Sequence, residues 1–341
     1  MKKHLLSIVL VITLLFSLSC KKSPTEVVDN TQPGRRDYVW KVDTLKVANS
    51  TYMSISRMWG GSPNDIWATG DAEESRLGLW HYDGNKWTCD NTPRQMMPRG
   101  IWGTSKDNIW IGNINSTFWH YDGVGWSEYG KYSLTGYSQL INQSMSGNST
   151  NNIYATGFAD NSDGSGYKAI IQHFDGLTWN FLNIQDIRSN FGQIKKNSLN
   201  QYFINSVNET NSQTPNKIFI LEYNSLNQLY ATDKSTELVQ IGDQIYFLIG
   251  FKLYKYKNRE LIFWKDFSDI YFLAVLIGRS EKDVFVLHTN EIKHFNGSDL
   301  INLFNIRTRI IASLIFEKEV FFLAKDFDTG ICMSIKGELK E

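Results

Sequence analysis

The chain has 341 residues, and its 35 lysines and arginines balance 35 aspartates and glutamates, so the formal net charge at pH 7 is zero. This balance does not provide the basic footprint of a nucleic-acid-binding protein, and we expect no nucleic-acid partner. Three cysteines are too few for a disulfide scaffold, and none are paired at zinc spacing. Aromatic residues make up 14% of the chain, and prolines number only six, which together indicate a packed, strand-rich body.

The first residues of the chain, "MKKHLLSIVLVITLLFSLSC", predict an export signal. Two lysines precede an apolar run from Leu5 to Phe16, which is shorter than the ~20 residues that span a bilayer. The segment resembles bacterial lipoprotein signals of the Bacteroidetes type. That resemblance implies a signal peptide over residues 1–19, lipidation of Cys20, and a place in the bacterial cell envelope as an outer-membrane lipoprotein, on its periplasmic or surface-exposed face. An ordinary signal peptide with an incidental cysteine is the alternative.

Residues 20–37 contain two prolines, one glycine and little apolar content. This composition predicts a flexible tether, because such a segment cannot bury enough apolar surface to fold. We predict that the remaining residues, 38–341, form the folded domain.

That domain contains a repeat. The segment "MWGGSPNDIWATG" at 58–70 returns as "IWGTSKDNIWIG" at 101–112 and "MSGNSTNNIYATG" at 145–157. The aromatic residue near its end marks seven copies, spaced 36 to 48 residues apart. The marker positions are Trp67, Trp110, Tyr154, Tyr202, Tyr246, Phe285 and Phe321.

A second phrase follows each marker, as in "LWHYDG" at 79–84, and its Asp-Gly end is a hairpin signal. Three residues later Trp87, Trp126 and Trp179 each open another short strand in the first three copies. Four strands per repeat of about 40 residues are typical of a β-propeller blade. The sequence therefore predicts an all-β, seven-bladed propeller of four-stranded blades, with six or eight blades as alternatives.

The seventh copy ends too early to hold a fourth strand. We predict that "YVWKVDTL" at 38–45 supplies it by pairing with "GICMSIKG" at 330–337, which joins the two ends of the domain and closes the ring. The pattern resembles bacterial repeat propellers with WGTS-x-N-D-I-W and HYDG-x-x-W blades, which are often exported. The resemblance is clear over 55–182 and fainter over 185–341, and it implies a fold and no particular activity.

The residue types that could serve in catalysis or metal binding recur at the same positions in successive blades. The histidines of the second phrase occupy one repeat position, so they predict a packing role and no catalytic or metal site; they are His81, His120, His173 and His294. We expect no catalytic residues, no metal and no cofactor. For Cys89 and Cys332, a disulfide and two isolated thiols both stay open.

Only the segments between the second and third strands escape the repeat. The longest of these segments are 71–78, 158–169 and 205–216, and binding residues favour variable loops on a rigid frame. The predicted ligand-binding residues are Asp71, Glu73, Arg76, Asp160, Asp163 and Tyr167. The alternative is that these are solvated loops that tolerate insertion.

Together these features favour a lipid-anchored binding or interaction module of the envelope without catalytic activity. Its partner is expected to be an envelope protein or a glycan. The alternative is a hydrolase or lyase acting on glycans, in which acids from several blades meet at the central channel.

Overall fold

The computed structural model describes residues 33–46, 53–72, 78–89, 92, 94, 96–208, 215–270, 275–288, 290–326 and 328–341. The predicted signal peptide and Cys20 lie outside these residues. Among the described residues, no helix is long and apolar enough to cross a membrane.

The described residues form 28 β-strands, which we number in chain order. They are β1 (Tyr38–Leu45), β2 (Met53–Ser62), β3 (Asp65–Ala72), β4 (Leu79–Tyr82), β5 (Trp87–Cys89), β6 (Pro98–Ser105), β7 (Asn108–Asn113), β8 (Thr117–Tyr121), β9 (Trp126–Lys131), β10 (Tyr137–Ser149), β11 (Asn152–Asn161), β12 (Tyr167–Phe174), β13 (Trp179–Phe181), β14 (Asn190–Lys196), β15 (Tyr202–Val207), β16 (Asn216–Glu222), β17 (Ser225–Thr232), β18 (Thr236–Ile241), β19 (Gln244–Ile249), β20 (Lys252–Lys257), β21 (Glu260–Asp266), β22 (Val275–Ser280), β23 (Asp283–His288), β24 (Glu291–Phe295), β25 (Leu300–Asn305), β26 (Arg309–Ile315), β27 (Glu319–Lys325) and β28 (Cys332–Leu339).

These strands pair as five sheets of four strands and one sheet of eight. The eight-stranded sheet divides into two antiparallel units, because β18 and β22 are joined only by a short parallel pairing of two residues. We number the resulting four-stranded units as blades: blade 1 is β2–β5, blade 2 is β6–β9, blade 3 is β10–β13, blade 4 is β14–β17, blade 5 is β18–β21, blade 6 is β22–β25, and blade 7 is β26–β28 with β1.

The blades form a ring. Each blade's first strand contacts the first strand of the next blade, from β2 through β26, and β26 contacts β2 again. A buried apolar cluster fills every interface between neighbouring blades, because each blade presents an apolar face on both sides. The predicted β-propeller fold is therefore confirmed.

The N-terminal strand completes the last blade, as predicted. Strand β1 pairs antiparallel with β28 over eight residues, from Tyr38 opposite Leu339 to Leu45 opposite Cys332. The order β1-β28-β27-β26 makes β1 the fourth strand of blade 7. Strand β1 thus covers the edge of β28, which would otherwise expose unpaired backbone groups.

One arginine ties β1 to blades 6 and 7. Arg279 donates from Nη1 to the Tyr38 hydroxyl at 2.8 Å and to Asp283 Oδ2 at 2.9 Å. It also donates from Nε to the Phe316 carbonyl at 2.6 Å and from Nη2 to the Glu319 carbonyl at 3.1 Å. The arginine side chain is only 15% exposed, so these bonds form in a largely dehydrated environment.

The segment before β1 also lies against the ring. Arg36 donates to the carbonyls of His294 and Asp299 at 3.1 and 2.7 Å, and the Gly34 amide donates to the Asn296 carbonyl. The compact unit that contains the propeller begins at Pro33. Residues of the predicted tether close to β1 are therefore held to the folded domain by hydrogen bonds, and the domain boundary at residue 38 stays a prediction.

The marker of blade 4 is shifted by one residue from its predicted position. The marker aromatics of the other blades face the next blade along the chain, as Tyr246 does. In blade 4, Tyr202 packs between blades 3 and 4, whereas Phe203 packs against Phe247 of blade 5. Phe203 is therefore the equivalent residue, and Gln201 then takes the polar position two residues before it.

Candidate functional site

The four repeated histidines are part of the scaffold. Each Nε2 lies within hydrogen-bonding distance of the side-chain oxygen of the Asp or Asn that opens the preceding strand. The pairs are His81–Asp65 at 2.7 Å, His120–Asn108 at 2.9 Å, His173–Asn152 at 2.7 Å and His294–Asp283 at 2.7 Å. Each imidazole also packs on the marker aromatic of its own blade, with ring centroids 4.3 to 4.9 Å apart.

This arrangement fixes the second and third strands of a blade to each other. Burial lowers the pKa of His120 and of His173, so their neutral forms are favoured at neutral pH. No group of three or more His, Cys, Asp or Glu side chains that could hold a metal ion occurs in the part of the chain that the structure describes. Cys89 and Cys332 are not joined by a disulfide.

The repeated aspartates form the hairpin turns. Asp122 Oδ1 accepts the amides of Val124 and Gly125 at 2.9 and 3.0 Å, and these backbone bonds lower the pKa of its carboxyl group. Asp83 and Asp175 make the same pair of bonds in their own turns. The glycine after each aspartate has a positive φ, which a residue with a side chain rarely adopts.

The predicted rim loop of blade 3 is shorter than expected. Most of segment 158–169 belongs to β11 and β12, and only residues 162–166 connect the two strands. Asp160 pairs directly with Tyr167 across this hairpin, so the structure brings these two predicted residues together. Asp163 is exposed at the tip, where its carboxylate accepts the Ser165 amide at 2.9 Å.

In blade 1, Glu73 and Arg76 lie outside the described residues. Asp71 is in β3, and its Oδ1 is enclosed without a hydrogen-bond partner among the described residues. It lines a cavity of about 10 Å³ together with Arg94 and Met96. Asp71 thus lies beside the connection between blades 1 and 2 and is only partly exposed.

In blade 4, the start of segment 205–216 belongs to β15, which ends at Val207. The connections of blades 1, 3 and 4 all link the second strand of a blade to its third. In a ring of such blades, equivalent connections leave on the same face. We call this the connection face.

A group of residues that sequence analysis missed lies on the innermost strands. In blades 1, 2, 3, 4 and 7 the first strand has a bulge where it pairs with the second strand. In each of these blades the residue just after the bulge lies opposite the residue two positions after the marker aromatic. The position just after the bulge is occupied by Ser144 in blade 3 and Gln193 in blade 4. Their side-chain oxygens accept the amides of Ile194 and Leu238, each in the next blade.

Blades 1 and 5 carry charges at this same position, Arg57 and Glu237. Lys195 follows two residues after Gln193 on β14, and Arg99 is the bulged residue of β6. We call Arg57, Arg99, Lys195 and Glu237 the channel cluster. Arg57 interacts electrostatically with both Lys195 and Glu237. Because blade 1 is not a neighbour of blades 4 and 5, these interactions cross the interior of the ring.

The electrostatics of the cluster follow from its enclosure. Burial lowers the pKa of Lys195, and the Arg57 charge adds to this effect while Glu237 opposes it. Burial raises the pKa of Glu237, although Lys195, Gln193 and Arg57 oppose the rise. Arg57, Lys195 and Glu237 all keep partial solvent exposure, and Arg99 is exposed. Burial that shifts the pKa values, together with partial solvent exposure, is expected of side chains that line a water-accessible channel within a ring.

In each blade the first strand begins near the connection face and ends at the turn into the second strand, which lies on the opposite face. The bulges lie before the residues opposite the marker aromatics, so Arg57, Arg99 and Glu237 sit towards the connection face. A sequence signal for the cluster exists. The equivalent positions in blades 2, 6 and 7 hold Gly100, Val275 and Ala312, so a charge there departs from the repeat.

Comparison with known proteins gives no match to a protein-family model and no match among curated proteins. Several solved structures are similar in fold. YCF48 bound to a D1 peptide has a TM-score of 0.63 at 13% identity, with 91% of this chain and 100% of that chain covered.

The Pan2 WD40 domain of Neurospora crassa has a TM-score of 0.61 at 8% identity, with 91% of this chain and 98% of that chain covered. The extracellular domain of BT4673 from B. thetaiotaomicron has a TM-score of 0.56 at 10% identity, and covers 88% of this chain but only 40% of its own. At these identities the similarity concerns the fold alone: the chain is a β-propeller.

Proposed function

We propose that this propeller is a binding module that captures a peptide or protein partner on its connection face. The observation that carries the proposal is the channel cluster, in which charges that escape the repeat converge from different blades towards that face. The rest of the scaffold is tied by repeated hydrogen bonds, which suits a preorganised docking surface. The similar propeller YCF48 was solved with a peptide bound, which supports a partner of this class.

The same cluster favours binding over glycan cleavage. Hydrolysis of a glycosidic bond uses a pair of carboxyl groups on either side of the scissile bond. The channel cluster contains one carboxylate, Glu237, beside three cations. Its composition therefore suits recognition of a negatively charged group.

We further propose that the module is a lipoprotein of the bacterial envelope, anchored through Cys20. The support is the position of this cysteine shortly after the apolar run that ends at Phe16, since a multiply acylated residue anchors a protein stably. Cys20→Ala is expected to abolish incorporation of a labelled fatty acid and to release the protein from membranes. Unchanged labelling and membrane retention in that variant would refute the anchor.

Capture of envelope proteins by the purified propeller, followed by mass spectrometry, tests the docking proposal. A triple variant, Asp160→Asn with Asp163→Asn and Tyr167→Ala, changes the blade 3 hairpin on the connection face. The matched control is Val124→Ser, because Val124 is 92% exposed on a turn between third and fourth strands, which lies on the opposite face.

The triple variant is expected to lose the captured protein while the control retains it. Melting temperatures of both variants establish that the ring is intact. Equal capture by the triple variant and the wild type would contradict docking through this hairpin, and capture of a glycan without protein would contradict the partner class.

A further inference from the structure

We propose that the channel cluster is a binding site for a single carboxylate group, held between the guanidinium of Arg57 and the ammonium of Lys195. This site goes beyond partner docking on the connection face. The carboxylate belongs either to a small free molecule or to an acidic side chain or terminus of the docked partner.

The first argument is the unused hydrogen-bonding capacity of the cations. Lys195 has three N–H donors and makes no hydrogen bond or close ion pair to any described residue. Arg57 has five N–H donors and donates one of them to the carbonyl of its neighbour Ser56, at 2.9 Å. Both cations interact electrostatically with Glu237, but neither is hydrogen-bonded to a carboxylate, so a bound anion would satisfy donors that otherwise only water reaches.

The second argument is charge. Three cations and one carboxylate give the channel cluster a formal charge of +2 when all four groups are ionised. Opposite charges attract strongly in an enclosed site, where water screens them less. Glu237 offsets one of the three positive charges, and the net positive charge that remains attracts an anion.

The third argument is geometry. The planar guanidinium of Arg57 presents parallel N–H groups that match the two oxygens of a carboxylate. At the equivalent positions of blades 3 and 4, Ser144 and Gln193 bind the backbone of the next blade. Arg57 occupies this position without such a bond to blade 2, so its donors are available inside the ring.

Acylation of Lys195 provides a direct assay. A small neutral reagent, the N-hydroxysuccinimide ester of acetic acid, is used with sodium acetate as the probe, and modified lysines are quantified by peptide mass spectrometry. A carboxylate beside Lys195 stabilises its charged form and raises its pKa, so at a pH below that pKa acylation slows about tenfold at saturation if the rise is about one unit. Lys106, which is 72% exposed and paired with Asp107, serves as the internal control.

Three variants separate this role from a structural one. Arg57→Gln is expected to abolish the protection of Lys195 by acetate, and Arg57→Lys to restore part of it. Glu237→Gln removes the repelling charge, so acetate is expected to protect Lys195 at a lower concentration than in the wild type. Equal melting temperatures show that the variants are folded; if Arg57→Gln is not, the Glu237→Gln shift decides alone.

Two acylation experiments identify the source of the carboxylate. Protection of Lys195 in a complex with the captured partner, without acetate, assigns the carboxylate to that partner, whereas protection by acetate alone assigns it to a small molecule. The site is overturned if acetate leaves Lys195 acylation unchanged, if Arg57→Gln is protected like the wild type, or if phosphate or chloride protects equally well at the same concentration. Loss of partner capture with acetate protection intact would refute the docking proposal and leave this site standing.

Discussion

Replacing Arg279 by methionine tests whether the ring is closed by the network around β1. The change removes the bonds from Arg279 to the Tyr38 hydroxyl, to Asp283 and to the Phe316 and Glu319 carbonyls, which lie between 2.6 and 3.1 Å. The Asp283 side chain is only 14% exposed, so its carboxylate stays buried without its cation.

Breaking a buried ion pair by removing one partner reduces the free energy of unfolding by about 3–5 kcal/mol. For a domain of this size, 1 kcal/mol corresponds to about 2 °C in melting temperature. We therefore expect the melting temperature to fall by about 6–10 °C in scanning calorimetry. The matched control is Arg259→Met, because Arg259 is 80% exposed in its pair with Glu222, and surface pairs contribute about 0–1 kcal/mol.

The same variant changes the response to acid. Burial by itself raises the pKa of Asp283, but the hydrogen bond with His294 and the charge of Arg279 outweigh it and hold the pKa below its ordinary value of 3.8. A lowered carboxyl pKa contributes stability above pH 3.8 that is lost as the pH falls through the folded-state pKa. Arg279→Met raises this pKa, so acid unfolding should begin at higher pH. A melting temperature no lower than that of Arg259→Met, with an unchanged acid transition, would refute the closure network.

Three further predictions concern the blades. Gly123→Ala should reduce stability by about 1–2 kcal/mol in urea unfolding, because φ is +92° and the new Cβ meets Asp107 at 2.9 Å; Gly125→Ala, with open space around it, should not. Phe203→Ala should reduce the free energy of unfolding by about 3–5 kcal/mol, since the side chain of this marker is fully buried. A loss of under about 1 kcal/mol would contradict the assignment of Phe203 as the marker of blade 4. His120→Gln should flatten the pH dependence of the melting temperature below pH 6.5, because burial lowers the pKa of His120 and its stabilisation is lost as the pH falls through the folded-state pKa; an unaltered profile would contradict this.

Much of the fold could be predicted because its signals are local. An Asp-Gly pair forms a turn through bonds to amides two and three residues away, as Asp122 does, and the turn in turn sets where Trp126 begins a strand. The repetition of such turns along the chain indicated four-stranded blades. The short seventh copy indicated that "YVWKVDTL" must pair with the C-terminal strand, and β1 does so.

The candidate site could be predicted only in part. The variable segments were identified, but the strands of blade 3 extend through Asp160 and Tyr167, because the hairpin continues its ladder beyond the length of the repeat. Asp71 lines a cavity together with Arg94 and Met96 of the connection between blades 1 and 2, and no local pattern reveals this proximity. The marker of blade 4 was shifted by one residue, since two adjacent aromatics look equivalent until the neighbouring blade selects Phe203.

The repeat, the turns, the strand that closes the ring and the propeller fold could all be derived from the order of the amino acids, because each of these depends on residues close together in the chain or on a period. Which residues meet inside the ring became apparent only from the folded molecule. Arg57, Lys195 and Glu237 stand on the first strands of three blades, and none of them belongs to a motif. Their proximity exists because closure of the ring points distant innermost strands at a common axis, and a charge becomes part of a site only when the enclosure around it removes water.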